Sequence, residues 1–114
     1  MESILTSIKK LLGIAEEHDQ FDVDIILHIN SALMTLRQLG VGPQDGFMIT
    51  GDTETWLDYL GDTKLLESVK TYVYLKVKMV FDPPTSSFVL EAMNRQSQEY
   101  EFRLNVEVDK GVTE

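Results

Sequence analysis

With 114 residues, a formal charge of -9 and no cysteine, the chain holds one domain, makes no disulfide and does no thiolate chemistry. Too few of its cations cluster for tight binding to duplex phosphates. Its hydrophobic content of 43% and charged content of 25% are ordinary for a soluble globular domain, no apolar run nears the ~20 residues of a membrane span, and the acid excess repels anionic lipid surfaces.

The opening stretch is not a secretory leader, because Glu2 comes first, lysines interrupt the apolar residues and no small-residue cleavage site follows. Intracellular synthesis is therefore expected. Ser3 to Ile14 is a short amphipathic helix, with Ile4, Ile8, Leu11 and Leu12 recurring at three and four. Lys9 and Lys10 are too few for an interfacial membrane helix, so a helix packed on the core or on a neighbouring subunit is expected. Asp22 to Leu39 follows as the central helix. Its stripes Ile25, Ile29, Ala32, Leu36, Leu39 and Ile26, Ile29, Leu33, Leu36 make a wide apolar face. Asp19 or Asp22 can cap its start, and Gly40 stops it.

Val41 to Asp52 is rich in turns: Gly42-Pro43, Asp45-Gly46 and Gly51-Asp52 surround a candidate short strand, Phe47 to Thr50. Gly51-Asp52 either tips a small hairpin with Thr53 to Trp56 as second arm, or Thr53 caps a short helix from Glu54 to Leu60 that ends at Gly61. Strand, turn and short helix is the preferred order.

Leu65 to Phe81 carries two patterns at once. Val73, Leu75, Val77, Met79 and Phe81 alternate as in a strand, while Leu66, Val69, Val73, Val77 and Val80 line one side of a helix. Length and the backward reach of the helical stripe decide for helix. Asp82-Pro83-Pro84 breaks it, with Asp82 and Pro83 placed to open the next helix. Ser87 to Leu104 is that helix, along Val89, Met93, Gln96, Tyr100 and Leu104, with Glu91-Arg95 and Glu99-Arg103 as supporting pairs. Asn105 to Glu114 lacks helical periodicity and is expected to fray. The expectation is a mainly α domain over 1–108: a bundle of four to five helices with a turn-rich loop or short β element between its second and third main helices. Residues 109–114 form a flexible tail.

Chemistry is sparse. Asp24 and His28 share a helix face as two potential metal ligands, but no third ligand stands at a useful spacing. The carboxylates at 16, 17, 19, 22 and 24 do not fit a calcium loop and are expected to be solvated. Lys70, Lys76 and Lys78 with Tyr72 and Tyr74 are a weak basic-aromatic patch on an acidic chain. No phosphate-binding glycine loop, nucleophile elbow or zinc-protease motif occurs. Trp56, the only tryptophan, either anchors the glycine-rich loop to the core or serves an interface. By elimination, no enzyme and no cofactor are expected, and a binding or assembly role is.

The segments ILTSIKKLLGI, LRQLGVG, DGFMITGDTETW and LLESVKTYVYLKVKMVFDPPTSSFVLEAMNRQSQEYEFRLN together resemble the phage head–tail connector proteins, also called head-completion or adaptor proteins, over about residues 1–108. The resemblance implies a helical protein with a small β element or extended loop. It implies a ring, typically dodecameric, that self-associates under the portal protein, extends the DNA channel without specific DNA binding, and offers a platform to tail or stopper proteins. It places the chain in the virion, assembled in the host cytoplasm, with no membrane role. It points to the Val41–Trp56 loop and the terminal segments for ring and portal contacts, and there to Phe47, Met48, Ile49 and Trp56. The alternative is a small cytoplasmic helical protein-interaction module unrelated to virion assembly.

Overall fold

The computed structural model describes residues 2–113, with side chains described as far as residue 108. Five helices follow in order: α1 (Ile4–Leu12), α2 (Asp22–Gln38), α3 (Trp56–Leu60), α4 (Leu66–Phe81) and α5 (Ser87–Thr113). Among the described residues there is no strand. One isolated antiparallel bridge joins Ser3 to Thr55, with the Ile4 amide donating to Glu54 O at 3.0 Å. The domain is mainly α, as its apolar spacing predicts.

Helix α1 starts where Ser3 Oγ accepts the Thr6 amide at 2.9 Å, an N-cap bond that satisfies an otherwise orphaned donor. It stops at Gly13, whose φ of 81° suits only glycine without strain. Its apolar face, Ile4, Leu5 and Ile8, is buried in the protein core. Lys9 is buried too, at 3% exposure. Its Nζ reaches the Glu16 and His18 carbonyl oxygens at 3.0 and 2.7 Å and Asp22 Oδ1 at 2.9 Å. A buried ammonium needs such partners, and these fold the acidic segment 14–21 back over the end of α1. The sequence reading had Asp19 or Asp22 capping α2. Instead Phe21 holds the cap position without a side-chain bond, because Asp22 is drawn to Lys9.

The decisive element is α4. Val69, Tyr72, Val73 and Val77 are all fully buried, which is the i, i+3, i+4, i+8 set of a helix. The strand-like alternation is lost beyond Val77, since Met79 and Phe81 are only half-buried. Helix α4 packs along both α2 and α5, and more lightly on α1, whereas α2 and α5 do not pack along each other. It is therefore the shared wall of the core.

Two local expectations fail around the proline break. Asp82 does not cap the last helix; it accepts from Lys78 Nζ at 2.7 Å, while Ser86 Oγ accepts the Val89 amide at 3.3 Å. The predicted stripe of α5 also shifts, because Gln96 and Val89 are exposed and Ser97 is buried. Ser97 Oγ satisfies itself by donating to Asn94 O at 2.9 Å, so a small polar residue enters the core without penalty.

Helix α5 continues past Leu104 to Thr113, whereas the sequence reading ends it at Leu104; Glu114 lies outside the described residues. Asn105 Nδ2 donates to Leu39 O at 3.2 Å, at the open C-terminal end of α2. Val108 packs on Gly40, where a Cβ would lie 2.8 Å from Val108 Cγ1. Residues 105–108 thus gain a partner far away in sequence. At 1.5 Å per residue the helix spans roughly 40 Å, close to the longest molecular dimension of 44 Å.

Candidate functional site

The segment between Gly40 and α3 has no sheet to pair with, and side chains satisfy its backbone instead. Asn30, on α2, accepts the Ile49 amide through Oδ1 at 2.8 Å and donates from Nδ2 to Ile49 O at 3.0 Å. One amide side chain thereby supplies both bonds that a neighbouring strand would make. The expected strand at Phe47–Thr50 is replaced by this arrangement. The expected hairpin is replaced by a carboxylate: Glu54 accepts from the Thr50 amide, Thr50 Oγ1 and the Gly51 amide at 2.9, 2.7 and 3.4 Å. Burial works against the charge of Glu54, but these hydrogen bonds outweigh it and hold the carboxyl below its ordinary 4.5. Helix α3 is capped by Thr55, not Thr53, in a reciprocal cap with Asp58.

Successive residues of an extended segment face opposite ways, so anchoring Ile49 decides its neighbours. Ile49 is buried and Met48 is 67% exposed. Phe47 is half-buried against Tyr59, with ring centroids 5.1 Å apart. Arg37 Nε donates to Gln44 O at 2.8 Å and holds the near end of the loop. Between this loop and the outer face of α2 lies a cleft of about 680 Å³. Leu27 and Met34 form its helix wall, Phe47 and Met48 its loop wall, and Arg37 and Asp45 stand at its polar margin.

The four residues expected to carry contacts are not gathered on one surface. Phe47 and Met48 line the cleft. Ile49 and Trp56 face the core. Trp56 takes its anchoring role: the indole N–H donates to Ser7 Oγ at 2.7 Å, and Lys70 Nζ lies 5.9 Å from the ring centroid, within cation–π range. Leu27 and Met34 escaped the sequence reading. The available signal was that both are apolar yet fall outside the two buried stripes of α2.

Nothing in this cleft pairs a nucleophile with a base. Asp24 and His28 do share a surface, a separate hollow with Phe21, Phe81 and Asp82. Among the described residues, no group of three His, Cys, Asp or Glu side chains is placed to hold a metal ion. The buried phenols are structural as well. Burial raises the pKa of Tyr59, whose hydroxyl has no partner among the described residues. Burial, helped by a 2.6 Å hydrogen bond to Glu101, raises that of Tyr72. Among the described residues, no helix is long and apolar enough to cross a membrane. What the arrangement offers is an apolar contact surface on a loop pinned by side-chain hydrogen bonds.

The chain matches one family model, described as phage connector protein, over residues 4–111. No curated protein and no solved structure matches it.

Proposed function

The chain belongs to the phage connector protein family, and on that premise we propose that it is a structural component of the virion that assembles as a ring beneath the portal. The ring extends the DNA channel and offers a platform to tail or stopper proteins. The observation that carries this reading is the family match, which spans nearly the whole chain. The exposed cleft supports it, because an assembly protein needs apolar surface that its own core leaves unused. The role is mechanical rather than catalytic and needs no cofactor.

The charge of -9 fits a channel component. An acidic wall repels phosphates, so passing DNA slides without specific binding. Light scattering and electron microscopy of the purified protein, with and without its portal, test the role. Rings or a decorated portal are the expected result. Monomers that ignore the portal at every concentration would overturn it.

A further inference from the structure

Like the α2 cleft, the outer side of α5 leaves apolar surface open. Phe88, Phe102 and Val106 are exposed there. With Arg95 and Glu99 they fall on one line, at successive steps of seven, four, three and four residues, on the side of α5 opposite Leu104 and Ser97. Leu27 and Met34 likewise face away from the buried side of α2. Helices α2 and α5 both pack on α4 but not along each other, so the two surfaces lie on separate helices and neither covers the other.

The surfaces are complementary. The cleft presents Leu27, Met34 and Met48 with one cation and one anion, Arg37 and Asp45. The α5 line presents aromatic and aliphatic residues with one anion and one cation, Glu99 and Arg95. Glu99 already pairs with Arg103 and Arg37 with Gln44 O, yet a carboxylate and a guanidinium each have capacity for further bonds.

From this we infer that the α2 cleft of one copy receives the outer face of α5 from a second copy. Phe102 enters between Leu27, Met34 and Met48, and Glu99 meets Arg37. The inference rests on the proposed assembly role and names the contact that would build it. Each copy gives one surface and receives on the other, so the contact is head-to-tail, the kind that closes into rings when its rotation permits. The α5 line is about 27 Å long at 1.5 Å per residue, but the cleft is shorter. The overlap therefore buries less than the roughly 800 Å² per partner of a standard interface. Isolated pairs dissociate, and only closure of many copies holds the assembly.

The absence of cysteine permits a direct test by oxidative cross-linking. Met34→Cys and Phe102→Cys both alter exposed residues, and circular dichroism checks that helix content is retained. A chain carrying both substitutions should give a ladder of multimers. Each single variant alone should give none, and an equal mixture of the two should stop at dimers. A control chain with Met34→Cys and Leu57→Cys, also exposed, should not ladder. Arg37→Glu should weaken the ladder roughly tenfold, and adding Glu99→Arg should restore it. No ladder, or one no stronger than the control, overturns the contact. Portal binding is read on the same proteins: a chain that decorates the portal without laddering rejects this contact and leaves the connector role standing, whereas a ladder without decoration supports the contact and rejects the role.

Discussion

Helices α4 and α5 flank the same proline break and use their apolar residues in opposite ways. In α4, which packs on α1, α2 and α5, Tyr72 is fully buried. In α5, Phe102 is 70% exposed, and of the described residues only Ser97 and Leu104 are buried. The difference teaches that apolar content alone does not separate core from contact surface. In α4 most apolar residues are used up inside the chain, and Val80, expected on the buried stripe, is the exposed exception at 61%. In α5 Phe88, Val89, Phe102 and Val106 are left exposed.

Paired truncations break or sharpen this contrast. Tyr72→Ala should cost about 3–5 kcal/mol, as for a large buried aromatic, read from the midpoint shift in chemical denaturation. A cost under 1 kcal/mol would remove α4 from the centre of the core. Asn30→Ala lies between the extremes. It leaves the Ile49 amide and carbonyl unpaired in a partly buried setting and should cost about 1–2 kcal/mol, with faster amide exchange at Ile49 and Thr50. Unchanged exchange would mean that the loop keeps its shape without the clamp.

Glu54 gives a smaller effect that depends on pH. Its native pKa lies below the ordinary 4.5, so the unfolded chain takes up the proton first. Its stabilisation is complete above that value and is lost as pH falls through the lower native one. The stability difference between the wild type and Glu54→Gln should therefore shrink towards zero on acidification; a difference that grows below pH 4.5 would contradict the loop geometry. Smallest of all, Phe102→Ala should change stability by no more than about 0.5 kcal/mol. A loss comparable with Tyr72→Ala would show that α5 belongs to the core after all.

Much of the fold was legible in the sequence because burial leaves a period. The stripes of α2 and α4 are visible in Ile25, Ile29, Leu36, Val69, Val73 and Val77, and Gly13, Gly40 and Gly61 mark the helix ends. The caps were less legible. Several acids stand near each helix start, and the choice among them turns on distant partners: Asp22 goes to Lys9 and Asp82 to Lys78. The cleft was half legible. Phe47, Met48 and Ile49 were evident as apolar residues in a turn-rich loop, but which of them faces out depends on one amide, Asn30, a helix away. The end of α5 was not legible at all, because residues 105–108 carry no helical period and are held by Leu39 and Gly40.

That last attachment bears on how the protein is made. Asn105 meets the end of α2 across a sequence separation of 66 residues. During synthesis α2 emerges early and its last turn is closed locally by the Leu39, Gly40 and Val41 amides, yet the Leu39 carbonyl lacks Asn105 and Gly40 lies uncovered until α5 is nearly finished. Contacts of such long separation are slow to form, since a large loop must close first. Translation therefore sets a clock on this domain: the nascent chain can build α1 and α2, but the end of α2 is covered only after nearly every other helical residue has been added.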